Sequence, residues 1–396
     1  MSEYKNEAVE KNDDKYGILT KLIHGGISRD ELTGAVNVPI YQTSTYAQVT
    51  PGNHKGYEYS RSGNPTRKAL EELIAELENG KYGFAFASGL AAISTVLSIF
   101  ESGDEIIISN DVYGGTFRLL DKVFNHFGIK YIQVDTSDIN AVKAAVNDKV
   151  KAIYIETPTN PLLGITDLQA VAEIAKENNL ISIVDNTFYT PYIQRPLDFG
   201  IDIVLHSATK YLGGHSDLIA GLVVVKDDAL AERIGFLQNA IGGILQPFDS
   251  FLLIRGIKTL GVRLDRHVEN AKKIVEKLVA SSDVKKVYYP GLESHPGYEI
   301  NKKQASNGGA MISFELTDGH DINKLFTELK IITLAESLGG VESLIEHPAS
   351  MTHASIPKEI REAAGLGDGL LRLSVGIEDG DDLVNDLINA IENSRK

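Results

Sequence analysis

Ile181-Ser182-Ile183-Val184-Asp185-Asn186-Thr187 is followed by Ile201-Asp202-Ile203-Val204-Leu205-His206-Ser207-Ala208-Thr209-Lys210-Tyr211-Leu212-Gly213-Gly214-His215. Each stretch begins as a β-branched apolar run, the pattern of a buried strand, and ends on polar residues. As ends of neighbouring strands they bring together one carboxylate (Asp185), one amine (Lys210) and two hydroxyls (Ser207, Thr209).

Further apolar runs lie at 83–87, 105–109, 131–134, 152–156, 203–205 and 222–225; with 181–185 they make seven strand candidates. Helical patterns fit between most of them, at 90–100, 116–127 and 168–177. Ahead of them, Asn64-Pro65-Thr66 opens a helix with the stripe Leu70, Leu73, Ile74 and Leu77, ended by Asn79-Gly80. The glutamates between those apolar positions read as a solvated face. This alternation predicts an α/β fold with a large, mostly parallel seven-stranded sheet, covered on both faces. Ligands of such sheets gather at the carboxyl ends of the strands. After about residue 245 the pattern changes to a long helix over 249–278, strands at 284–288, 311–314 and 371–375, and a last helix over 382–392. That predicts a smaller C-terminal α+β domain. The expected division is an irregular arm over 1–60, a large domain over 61–250 and a small domain over 251–396.

The chain has 396 residues, 43% hydrophobic, with a formal net charge of −15 and no cysteine. The acidic balance argues against nucleic acid as a main partner. Lack of cysteine excludes disulfides, thiolate metal sites and a thiol nucleophile. Residues 1–16 are charged and lack the apolar core of a signal peptide, and no run of roughly 20 apolar residues occurs. These features predict a soluble, cytoplasmic protein with no membrane or metal partner.

Two more loops join the chemistry. Ser88-Gly89-Leu90-Ala91-Ala92 follows a strand and opens a helix, where free N–H groups suit an anion. It is neither a Walker turn nor a dinucleotide turn, which removes a nicotinamide oxidoreductase. Asp111-Val112-Tyr113-Gly114-Gly115-Thr116 begins another strand-to-helix loop, and Tyr113 is suited to stack on a ring. Singly, each residue has an ordinary reading: Asp185 as a cap or ion-pair partner, Lys210 as a solvated cation, Tyr113 as a loop tyrosine. Jointly they are the groups that hold pyridoxal phosphate: an amine for its aldehyde, a carboxylate for its ring nitrogen, hydroxyls and amides for its phosphate.

The stretches Tyr57-Glu58-Tyr59-Ser60-Arg61-Ser62-Gly63-Asn64-Pro65-Thr66-Arg67, Glu156-Thr157-Pro158-Thr159-Asn160-Pro161, Val184-Asp185-Asn186-Thr187-Phe188 and 206–217 resemble the Cys/Met-metabolism enzymes dependent on pyridoxal phosphate. That family includes the cystathionine γ-lyases, γ-synthases and β-lyases and methionine γ-lyase. The resemblance runs from about residue 24 to 391. It implies fold type I, as in aspartate aminotransferase, and a homotetramer built from two active dimers. It implies that Lys210 bonds the cofactor, Asp185 pairs its ring nitrogen, and Tyr113 stacks on the ring and moves protons. Gly89, Leu90, Ser207 and Thr209 would bind the phosphate, with Tyr59 and Arg61 arriving from a neighbouring subunit. Arg372 would clamp the substrate α-carboxylate, assisted by Asn160 and Ser337; by its residues alone it reads equally as a surface strand arginine.

Three features bear on the reaction. Methionine γ-lyases carry a cysteine in the Tyr113 loop, and this chain has none. Glu336 stands where the resemblance places a contact for the distal ammonium of cystathionine, and Glu58 offers a second carboxylate; both read otherwise as surface charge. The expected reaction is therefore α,γ-elimination of cystathionine to cysteine, 2-oxobutyrate and ammonia, with sulfide-releasing and β-lyase side activity. The alternative is cystathionine γ-synthase or homoserine-ester sulfhydrylase, and a remoter one is a silent cofactor-binding protein.

Overall fold

The computed structural model describes residues 16–27, 30, 32–351 and 365–396. All seven expected strands form: β1 (Tyr82–Phe86), β2 (Glu105–Ser109), β3 (Lys130–Val134), β4 (Val150–Glu156), β5 (Ile181–Asp185), β6 (Ile203–Ser207) and β7 (Gly221–Val225). They make one sheet in the order β1-β7-β6-β5-β4-β2-β3. Only β7 runs against its neighbours, pairing antiparallel with both β1 and β6. The other strands therefore end at one common edge.

Apart from the exposed edge strand β3, the strands read as largely apolar runs because both sheet faces are buried. Alternate residues serve different cores. Phe84, Ile106, Tyr154, Ile183 and Leu205 face a cluster with the helices Gly89–Leu97 and Asp228–Ile241. Ala85, Ile107, Ile155, Val184 and Val204 face the larger cluster, which continues into the second half of the chain. The period of two sends Glu156, Asp185 and Ser207 to the first face.

The second sheet holds β8 (Val284–Tyr288), β9 (Met311–Leu316), β10 (Thr333–Leu334), β11 (Leu344–Glu346) and β12 (Leu370–Ser374), in the order β10-β11-β12-β9-β8. Two of these, β10 and β11, escape the sequence pattern because they are too short to show a period. Ser313 and Arg372 are cross-strand partners in β9 and β12. The Ser313 hydroxyl donates to the Pro161 carbonyl at 2.6 Å, and Arg372 Nη1 donates to Asn160 Oδ1 at 2.8 Å. The second sheet thereby holds the loop that leaves β4.

Three expectations need correction. The helix expected over 249–278 is two, Pro247–Ile257 and Leu260–Ala280. The Gly256 carbonyl meets Arg263 Nη2 at 2.8 Å, Thr259 Oγ1 at 3.1 Å and the Thr259 N–H at 3.2 Å, so backbone and side-chain donors together satisfy it where the first helix ends. The arm is not wholly irregular, since Ile18–His24 is a helix; it buries only Leu22, which leaves little apolar stripe to read. Glu71 is not on a solvated face. It turns inward to accept the Ala85 N–H at 2.9 Å and Gln238 Nε2 at 3.1 Å.

Among the described residues no helix is long and apolar enough to cross a membrane. Gly221 starts β7 directly under the Ser88 loop, where a Cβ would lie 2.2 Å from the Ser88 carbonyl oxygen. We expect Gly221→Ala to destabilise the fold by about 1–3 kcal/mol. Denaturant unfolding should show a lower midpoint at unchanged slope.

Candidate active site

A cavity of about 330 Å³ opens at the shared edge of β4, β5 and β6. Of the residues singled out from sequence, Gly89, Leu90, Tyr113, Asn160, Asp185, Ser207, Thr209, Lys210, Glu336, Ser337 and Arg372 line it. The chain thus gathers eleven positions spread over both sheets. Glu58, Tyr59 and Arg61 lie elsewhere on this chain. Glu58 faces His54 at 3.3 Å. Arg61 Nη1 donates to the Asn239 carbonyl at 2.6 Å and to Asn239 Oδ1 at 3.0 Å, with its guanidinium 5.6 Å from the Tyr59 ring centre.

One end of the cavity is built for an anion. Ser88 caps the helix Gly89–Leu97 by accepting the Ala91 N–H at 3.0 Å. The Gly89 and Leu90 N–H groups have no acceptor among the described residues. A Cβ on Gly89 would come within 3.0 Å of the Ser207 Cβ, so the glycine lets the helix start approach β6. The Ser207 N–H is held by Thr187 Oγ1 at 2.8 Å. The Thr209 hydroxyl is already engaged with Ala220, accepting its N–H at 3.1 Å.

The middle holds two buried carboxylates. Glu156 and Asp185 are partners across β4 and β5 and point to the same face. Asp185 accepts from the Thr187 N–H at 3.1 Å, the Thr187 hydroxyl at 2.5 Å and the Tyr154 hydroxyl at 3.5 Å. All three donors are neutral, and no cation touches it among the described residues. Burial pushes the Asp185 carboxyl up, against the Thr187 hydrogen bonds that pull it down. Burial, then the charge of Asp185, holds Glu156 well above the usual carboxylate range. Glu156 also accepts the Tyr113 N–H at 2.9 Å and so anchors the loop that presents that ring.

The far end holds the cations. Lys210 Nζ donates to Ser337 Oγ at 2.8 Å. Burial first, then the positive charge of Arg372, lowers the Lys210 amine from 10.5 to about 8. Ser337 sits at φ 85°, in the left-handed region that non-glycine residues avoid. From there its hydroxyl meets Lys210 while its carbonyl accepts Arg372 Nη2 at 2.9 Å. Arg372, 3% exposed, also pairs through Nη2 with Glu346, which is 1% exposed.

Glu156, Thr187, Phe188, Ile219 and Glu346 line the cavity and were not singled out as site residues from sequence. Glu156 ends an apolar strand just as Asp185 does, which is a signal that could have found it. Glu346 carried none, being the last residue of a three-residue strand.

These features suit pyridoxal phosphate. They offer a buried carboxylate lacking a cation, a nearby amine of lowered basicity and a helix start with unspent amides. The fold and the pocket define a fold type I pyridoxal-phosphate enzyme. Residues 19–392 match the family described as Cys/Met metabolism PLP-dependent enzyme, and the chain belongs to that family. It is 62% identical to the cystathionine beta-lyase of Lactococcus lactis subsp. cremoris strain MG1363, over 95% of this chain and 99% of that one. It is 56% identical to the cystathionine gamma-lyase of Bacillus subtilis strain 168, over 94% and 99%. The crystal structure of cystathionine gamma-lyase from Lactobacillus plantarum complexed with L-serine superposes with a TM-score of 0.94 at 57% identity, covering 96% and 99%.

In the cofactor-free protein, acylation of Lys210 by a small anhydride, with release of a carboxylate, should rise with pH, because the neutral amine is the nucleophile. The midpoint should fall near pH 8, following the lowered value. A midpoint at the ordinary 10.5 would contradict the burial of this amine.

Proposed function

We propose that this chain catalyses α,γ-elimination of L-cystathionine, with water, to L-cysteine, 2-oxobutyrate and ammonia. The observation that carries cystathionine as the substrate is Glu336 on the wall of the cavity that also holds Lys210 and Arg372. A substrate with two amino-acid ends needs a cation at one end of its site and an anion for its distal ammonium.

On this reading Lys210 bonds the cofactor and Asp185 pairs its ring nitrogen. Gly89, Leu90, Ser207 and Thr209 hold the phosphate, and Tyr113 covers the ring. Bound pyridoxal phosphate supplies an electron sink for charge that develops at the substrate Cα. Arg372, aided by Asn160 and Ser337, holds the α-carboxylate. The Lys210 Nζ, freed when the substrate amine takes its place, removes a proton at Cα, passes it on, and then removes another at Cβ, and its lowered pKa supports the role. The Tyr113 hydroxyl gives a proton to the departing sulfur. Glu336, with Glu58 of a neighbouring copy, faces the distal ammonium.

The same proposal makes 1–60 an arm of a homotetramer of two dimers, 61–250 the cofactor-binding domain and 251–396 the small domain, in a cytoplasmic enzyme. Tyr59 and Arg61 then complete a neighbour's phosphate site, which their distance from this chain's own cavity supports. Of that arm, residues 1–15, 28, 29 and 31 lie outside the described residues.

A second reading, β-elimination to homocysteine, pyruvate and ammonia, is favoured by the name of the Lactococcus relative. Product analysis on pure L-cystathionine separates the two. We expect 2-oxobutyrate in excess; pyruvate in excess would replace our reading with the second. Glu336→Ala should raise KM for cystathionine about tenfold or more, the worth of a charge-assisted contact. KM for L-homocysteine should move less, and equal shifts would remove the role given to Glu336.

A further inference from the structure

Glu346 and Arg372 face one another across β11 and β12 as direct antiparallel partners. Side chains of such a pair share one face of the sheet and lie within reach of each other. Both are buried, and Glu346 ion-pairs with Arg372 Nη2. A guanidinium kept in a buried site only for an incoming carboxylate would stand unpaired whenever that carboxylate left, at a large desolvation cost. Glu346 offsets part of that cost at all times, although burial still lowers the basicity of Arg372.

The pair also fixes geometry. Arg372 Nη2 is shared between Glu346 and the Ser337 carbonyl, and Nη1 is directed at Asn160 Oδ1. Acceptors on both terminal nitrogens lock the plane of the guanidinium, and the charged one is the strongest of them. The Nε–H is left buried without an acceptor among the described residues. The group is thus held in one plane with donor capacity to spare.

We propose that Glu346 is a positioning residue for recognition of the substrate α-carboxylate. It acts as an internal carboxylate that holds Arg372 in its receiving orientation, so that the substrate binds as the second anion on an already paired guanidinium. The inference rests on the reading of Arg372 as the α-carboxylate holder, and does not depend on which carbon–sulfur bond is cleaved.

The test compares two ligands on the pyridoxal-phosphate-loaded protein, each titrated by the change in visible absorbance. One is L-alanine; the other is ethylamine, the same molecule without its carboxylate. Glu346→Gln keeps the shape and removes the charge. We expect it to weaken L-alanine about tenfold or more while moving ethylamine less than about twofold, within the scatter of a site that has lost no contact. Equal weakening of both ligands would show a merely structural role, and tighter L-alanine binding would show a competing anion; either result overturns the proposal. Should the Gln variant fail to fold, Glu346→Asp, which withdraws the charge by one methylene, should show the same selective loss at smaller size. Its absence would equally overturn the proposal. Arg372→Leu separates the two layers: it should abolish the preference for L-alanine over ethylamine. If Arg372→Leu abolishes the preference and Glu346→Gln leaves it intact, only the role of Glu346 falls. If the preference survives Arg372→Leu, the reading of Arg372 itself falls.

Discussion

A carboxylate buried among neutral donors is an expensive thing to fold, and Asp185 is one. Its contacts are two from Thr187 and one from Tyr154, and Glu156 stands beside it on the next strand. Two like charges at neighbouring strand ends cannot both ionise freely in a dry site. On the proposed reading, a cationic ring bound at this edge would pair Asp185 and recover part of the stability left out there, coupling loading to stability by mass action.

Much of this was legible in the chain. β5 and β6 announce themselves by β-branched runs, and parallel pairing with a period of two then dictates that Asp185 and Ser207 share a face. The Ser88 loop is legible for the same reason, since β1 ends at that edge too. Legibility fails where local pattern is short or partners are distant. Glu346 lies on a three-residue strand whose place is set by β12. Glu71 looks like a surface charge until the Ala85 N–H and Gln238 are brought to it by the sheet. At the break between the helices Pro247–Ile257 and Leu260–Ala280 the Gly256 carbonyl is met by Arg263 and Thr259, contacts that no local period announces. Arg372 gained its meaning from resemblance alone, and its neighbours Asn160 and Ser337 show why: they reach it from two separate loops.

The two sheets divide the labour. The first supplies the strand ends around Asp185 and Lys210. The second supplies Arg372 and Glu346, and reaches over to hold the 157–161 loop through Ser313. Ser337 joins the halves, with Lys210 on its hydroxyl and Arg372 on its carbonyl. Relatives of more than 50% identity carry both the β-lyase and the γ-lyase name. Proton transfer needs the base within hydrogen-bond reach of the carbon it serves, so the position of Lys210 on Ser337 bears on either outcome.

On the proposed reading one amine, Lys210, carries the cofactor. Borohydride reduction of the loaded protein, followed by peptide mapping, tests it most directly. We expect a pyridoxyl group fixed on Lys210. A label fixed on any other lysine, with Lys210 unmodified in active protein, would contradict it.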